Sequence, residues 1–237
     1  MTLAVHRGSF WRVRLDRPQA ANALSSELVE ALHEVLDEAA GVKPEALVLE
    51  GNSRHFAAGF DLAGLSRESD ASLAHRFLRI GLLLERLATA PYLTVAVVEG
   101  AAIGAGADLV AACDHRLAGT DARFAFPGAS FGVVLGTARL RAVADPATFL
   151  GGDTVAAAAA GPLVTGTPGD LSGLLDAWAH IDPATRPALL AETRPVHDPD
   201  AALAALTRSV ITPGLHDRLT AYRRRVLSAR TPSKELE

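Results

Sequence analysis

The stretch Gly100-Ala101-Ala102-Ile103-Gly104-Ala105-Gly106-Ala107-Asp108 decides the fold. An apolar run, Leu93-Thr94-Val95-Ala96-Val97-Val98, precedes it, and Leu109-Val110-Ala111-Ala112-Cys113 follows with the pattern of a buried helix. Strand, glycine-rich bend and helix start together aim free backbone N–H groups from the positive end of a helix dipole. Such a place suits a bound anion, or an oxyanion formed during a reaction. The glycines at 100, 104 and 106, with alanines between them, let a ligand approach the main chain closely. A dinucleotide fingerprint is a poor match. It needs G-x-G-x-x-G after the first strand of a unit, with an acidic residue about 20 positions on; here the order is G-x-x-x-G-x-G, in mid-chain. On this loop alone, a tight turn without a ligand stays open.

A second segment, His55-Phe56-Ala57-Ala58-Gly59-Phe60-Asp61-Leu62, follows the strand-like Ala46-Leu47-Val48-Leu49 and a turn at Gly51-Asn52-Ser53. Two further stretches fall in register with it: L-D-R-P-Q-A-A-N-A-L at 15–24, and C-D-H-R-L-A at 113–118. A last one, F-x-x-P-x-x-x-x-G, spans 124–132. In order and spacing, residues 10–145 resemble the enoyl-CoA hydratase/isomerase family, the crotonases. The resemblance implies a crotonase-like (ClpP/crotonase) α/β spiral of ββα units at 1–165, with a C-terminal helical region at 166–237 for lid and oligomer contacts. It further implies a homotrimer or dimer of trimers.

The chemistry implied by the resemblance is stabilisation of a thioester enolate. Two backbone N–H groups hold the developing O⁻, and losing one such donor typically costs about 10²–10³ in rate. Matched residue by residue, the donors are those of Phe60 and Ala105. Both are main-chain groups, so the side chains placed on them need not abolish the hole, although Phe60 would narrow or reshape the pocket if it faced substrate. The coenzyme A arm is expected along Gln19, Ala20 and Ala21 and past Ala58, Asp61 and Leu62, with Gly104, Pro127 and Gly128 on the acyl side. Arg17 or Arg67 would meet the phosphates, since the family's usual basic residue is Ala63 here.

The proton carriers are where this chain departs from the family pattern. Hydratases of the family use two glutamates; the matching positions here are Asp108 and Gly128. A helix start favours an ionised carboxylate, so Asp108 is expected to have a lowered pKa and to act as a base, or else to do no more than cap the dipole. Gly128 carries no proton, and adding water across a double bond needs both a base and an acid. Ordinary hydration is therefore not expected, though placing glutamate at both positions would be expected to restore some. Isomerase or lyase chemistry fits one carboxylate better. Ser130 is the one polar side chain near Gly128. A non-catalytic acyl-thioester-binding or accessory subunit is the alternative, and a dinucleotide-binding oxidoreductase a third. His55 is a further candidate beside the first loop, whereas Cys113 and His115 read as structural.

Composition narrows the classes. The 237 residues are 49% hydrophobic and 21% charged, ordinary globular values. A net charge of −4 gives no sign of nucleic-acid or membrane affinity. The lone cysteine excludes an internal disulfide framework and fits a reducing compartment. No apolar run reaches the length of a membrane span and no secretory leader pattern follows Met1, so a cytoplasmic location is expected. No metal-ligand spacing occurs, and no resident cofactor is implied; coenzyme A arrives as part of the substrate, or a carrier protein presents the thioester instead.

Periodicity places the motifs. Trp11, Val13 and Leu15 alternate with Arg12, Arg14 and Asp16 as in a half-buried strand. Leu28, Leu32, Val35, Leu36 and Ala39 share a helical face behind an N-cap at Ser25 or Ser26. Leu73, Phe77, Ile80, Leu84 and Leu87 share another, which Pro91 stops. The alanine run at 156–161 is biased toward helix but short. Beyond it, prolines cut the tail into short helical pieces, the clearest carrying Leu215, Leu219, Tyr222 and Val226.

Overall fold

The alternation around Trp11 forms a strand with Trp11, Val13 and Leu15 buried and Arg12 and Arg14 turned outward. This is seen in a computed structural model that describes residues 2–145, 147, 152–196 and 198–230. That strand, β2 (Phe10–Leu15), pairs antiparallel with β1 (Leu3–His6). The sheet continues in parallel through β3 (Ala46–Glu50), β5 (Leu93–Val98) and β7 (His115–Ala118). A second sheet holds β4 (His55–Ala57), β6 (Ala101–Ile103), β8 (Arg123–Ala125) and β9 (Val155–Ala156). All six residues of β5 are buried, as expected for a parallel strand covered on both faces.

The chain climbs as a spiral because each passage from the first sheet to the second turns a tight corner onto the turn below. Ala101 N–H donates to Arg54 O (3.0 Å), Gly119 N–H to Val98 O (2.9 Å) and Arg123 N–H to Gly100 O (3.3 Å). Side chains have no room at these corners. A Cβ on Gly100 would stand 2.7 Å from His55 N, and one on Gly119 2.6 Å from the Glu99 carboxylate.

Helix α1 (Ser26–Val42) starts where Ser25 Oγ accepts the Leu28 N–H at 3.3 Å. Helix α2 (Asp70–Ala88) starts at a reciprocal Ser69–Ser72 cap. Both cover the spiral, and their predicted apolar faces are the buried ones. The glycine-rich bend ends in α3 (Ala105–Ala111), every residue of which is buried. Helix α4 (Thr137–Val143) packs beside it. The alanine run does not continue as an α-helix: Ala156 pairs with Arg123 in β9, and Ala157–Ala159 make a single 3₁₀ turn.

The tail forms α5 (Leu171–Ala179), α6 (Arg186–Thr193), α7 (Pro199–Val210) and α8 (Leu215–Arg230). Pro187 and Pro199 stand in the first turns of α6 and α7, where a missing N–H costs nothing. Arg194 binds this tail to the spiral. Its guanidinium meets both Asp114 carboxylate oxygens (2.7 and 2.9 Å) and the carbonyls of Ala90 and Tyr92. Asp114 in turn accepts the Thr94 N–H and hydroxyl. No helix of the described residues is long and apolar enough to cross a membrane.

Candidate active site

The two glycine-bearing loops meet at one point. Gly59 adopts a left-handed conformation (φ 86°), and a Cβ there would stand 2.6 Å from Ile103 O and 3.4 Å from Ala105 N. Gly104 (φ 55°) lies against the same Gly59 and against Pro127, each within 4.0 Å of where its Cβ would be. At Gly106, a Cβ would run into Ala57, 2.8 Å from that residue's own Cβ. Glycine is needed at 59 and 106 because main chain lies on main chain, and at 104 because of its left-handed φ. Among the described hydrogen bonds, neither the Phe60 N–H nor the Ala105 N–H has an acceptor, whereas their neighbours do: Leu24 N–H bonds Gly59 O (2.7 Å) and Asp61 N–H bonds Leu24 O (3.2 Å). Two N–H groups without partners at one spot, one of them opening α3, make a ready donor pair for an oxyanion.

Asp108 stands one helical turn beyond Ala105, and side chains on a helix lean toward its N-terminus, so the carboxyl leans back toward that pair. It is 6% exposed and makes no side-chain hydrogen bond among the described residues. Its pKa is not lowered as expected. Burial pushes it up to about 7, and the nearby Arg139 charge pulls the other way without prevailing. Desolvation of the whole carboxyl outweighs the dipole of a short helix.

Other predicted residues divide by what their polar atoms already hold. Gln19 is exposed at the 3₁₀ turn Pro18–Ala20, and Ala20 and Ala21 line its half-buried edge. The Ala58 N–H donates to Ala21 O (3.0 Å), joining the two parts of the expected coenzyme A path while leaving only the Ala58 carbonyl for a ligand. Asp61 is a strut: its carboxylate binds Arg17 at 3.0 Å and the Ala63 N–H at 2.9 Å. Arg17 also donates to Ala23 O, so it is tied into the fold, whereas Arg67 is exposed. Leu62 packs into the cluster of α2, α7 and α8. Pro127 and Gly128 open the 3₁₀ turn Pro127–Phe131, and Ser130 donates to Pro127 O at 2.7 Å. A Cβ on Gly128 would stand 2.8 Å from Val133 O, so this backbone has no place for a glutamate there. His55 begins β4, at the far end of that strand from Gly59.

Residues 6–145 match the enoyl-CoA hydratase/isomerase profile. The chain belongs to the enoyl-CoA hydratase/isomerase family. A solved structure described as an enoyl-CoA hydratase/isomerase from Bordetella parapertussis is 38% identical, with a TM-score of 0.88 over 94% of this chain and 98% of that one. A protein described as an enoyl-CoA hydratase of Mycobacterium tuberculosis is 37% identical over 123 residues, covering 52% of this chain and 49% of the relative. The 2,3-dehydroadipyl-CoA hydratase of Escherichia coli is also 37% identical over 123 residues, covering 52% and 48%. The chain spans about half the length of the curated relatives it matches.

Sequence reasoning about this enoyl-CoA hydratase/isomerase family member missed the side chains that fix the first loop. Phe60 is neither free in a pocket nor simply buried. It stacks on Phe77 at 4.1 Å, with the Arg76 guanidinium 4.2 Å from its ring centroid. Arg76 is itself held by Glu68 (2.8 Å) and Asp61 O (2.9 Å). Asn22 was quoted only as part of a motif. It is fully buried in a left-handed conformation and donates to Phe56 O at 3.0 Å, pinning the Gln19–Ala21 turn against β4. Phe77 was read only as one apolar position among five, and nothing marked its partner. Cys113, by contrast, is the buried core residue expected, its thiol pushed by burial up to about 12.

Proposed function

We propose that this chain acts on a coenzyme A thioester, stabilises its enolate on the Phe60 and Ala105 N–H groups, and moves a proton with Asp108 alone. In an isomerase-type cycle the ionised carboxylate takes a proton from the carbon next to the thioester. The electron pair moves to the thioester oxygen, and the same carboxyl returns the proton to the other end of the conjugated system. One group able to hold and release a proton near neutral pH suits such a shift, because the efficient acid–base pKa lies near the working pH. A lyase-type reaction would use the same enolate. The observation that carries this reading is a buried carboxyl, one turn from an unpartnered N–H pair, with Gly128 where a second proton carrier would be.

The missing second carrier also favours a second reading, an accessory subunit that binds acyl thioesters without turning them over. One experiment separates the two. The purified protein is offered enoyl-, β-keto- and malonyl-type thioesters, with products followed by mass spectrometry, beside Asp108→Asn. Proton transfer by a positioned base is worth about 10²–10⁴-fold, so turnover should fall by that factor in a normally folded variant. Binding that raises the melting temperature with no turnover in either protein supports the accessory reading. Exposed Ile211 and Leu227, on the α7–α8 side, supply apolar surface for the homotrimer or dimer of trimers included in the proposal.

A further inference from the structure

Three buried charged side chains come from neighbouring elements: Asp108 of α3 is 6% exposed, Arg139 of α4 5% and Glu85 of α2 8%. Arg139 and Glu85 form an ion pair. The Arg139 Nε is buried without a hydrogen-bond acceptor among the described residues, so this guanidinium is not fully used by Glu85. Helix α4 also touches Asp108 through its cap. A Cβ on Gly136 would land on the Asp108 carboxyl, 2.5 Å from its Cγ. Arg139 follows Gly136 by three residues, on the same helical face, and leans toward that end. The elements that pack most extensively against α3 are β4, β6, α2 and α4. Arg139 is the charged group they bring to Asp108, and Glu85 is paired with Arg139; β6 is Ala101-Ala102-Ile103, and the single titratable residue of β4, His55, lies at its far end.

We infer that Arg139, backed by Glu85, is a positioning residue for Asp108: its buried charge holds the carboxylate against Gly136 and sets how readily that carboxylate gives up its proton. The inference rests on Asp108 as the proton carrier. A lone buried carboxyl is driven toward its neutral form by desolvation, and a nearby cation is what keeps the ionised form within reach. Glu85 pairs with Arg139 in a buried place and so offsets part of its field at Asp108. Removing Glu85 alone therefore strengthens the pull on Asp108, and removing both groups abolishes it.

The test is direct titration of Asp108 by infrared difference spectroscopy of its protonated carboxyl band, identified by its loss in Asp108→Asn. In Glu85→Gln the midpoint is expected to fall by about one pH unit, a tenfold loss of proton affinity. In Glu85→Gln/Arg139→Met, which removes both members of the ion pair together, it is expected to rise above that of the parent. An unchanged midpoint in both folded proteins overturns the inference. If the double variant does not fold, Glu85→Gln decides alone. Because the readout needs no turnover, it is separate from the function: a midpoint that moves while turnover ignores Asp108 leaves the electrostatic coupling standing and removes the proposed role of Asp108.

Discussion

At the scale of single residues, Asp108 and Gly128 have opposite consequences. Burial raises the Asp108 pKa from 3.8 to about 7, so the folded chain holds this proton more tightly than the unfolded one. Stability contributed by that proton is complete below pH 3.8 and is lost as pH rises toward about 7. Asp108→Asn is therefore expected to match its parent in urea unfolding at the acidic end and to exceed it by at least about 1 kcal/mol above neutrality. An advantage that did not grow with pH would contradict the burial argument. For turnover, the ionised form is the base, so the rate is expected to fall as pH drops below about 7, well before the acidic range that a helix-start carboxylate alone implied. Gly128→Glu is expected neither to add hydratase activity nor to be tolerated silently. The new Cβ must displace Val133 O, and overpacking of this kind costs about 1–3 kcal/mol, which a thermal melt would register alongside a hydration assay. Sequence placed Asp108 on its helix start correctly but could not reveal how dry that place is. The groups that make it so, Glu85 and Arg139, lie far from it and from each other along the chain, and neither carries a local signal.

Among elements, the pairing of α2 with the first loop matters most. The loop's conformation was legible because glycine at 59 and the match to the family pattern specify main-chain geometry. The clamp on it was not, because Phe60 and Phe77 read separately as a pocket residue and a core position, and no sequence signal singled out Arg76. Truncating Phe77 to alanine removes one side of the stack. Large-to-small changes of this type cost about 3–5 kcal/mol. If the clamp also fixes the Phe60 N–H, turnover is expected to fall by a larger factor than acyl-thioester affinity does. Arg76→Met keeps much of the contact area and loses the charge, so a smaller loss is expected, read from the same pair of measurements. Equal losses in affinity and turnover would assign the stack to stability alone. Elsewhere the elements followed their sequence signals closely. The Ser25 cap and the apolar faces of α1 and α2 are as predicted, and only the alanine run at 156–161 yielded its helix preference to pairing with β8.

Across the whole molecule, Arg194 makes one of several polar contacts that bind the tail to the spiral, beside those of Trp178 with Glu45 O and of Asp70 with the start of α8. Arg194→Met would leave Asp114 partly buried without its cation, a change that costs about 3 kcal/mol in such settings. Because Asp114 also holds Thr94 of β5, the loss is expected to spread into the parallel sheet and to appear as faster amide exchange there as well as in α6. On the other side, α8 covers the turn beside Gly128, with Arg218 donating to Phe131 O at 3.0 Å and the Tyr222 ring 4.8 Å from that of Phe131. The proline-cut sequence indicated short helices here, but not which surface each would cover, since such contacts join residues about ninety positions apart. The corners at Gly100 and Gly119 have a further consequence. The Gly100 corner rests on the turn beneath it with main chain on main chain, and the Gly119 corner is tied by its N–H to Val98 O, so the pitch of the stack is set by backbone contacts between turns. Length can then change most readily where the turns swing outward, as in the stretch between β4 and α2. Insertions and deletions that separate this chain from its relatives are expected to collect on that outer rim, leaving the corners in the same register throughout.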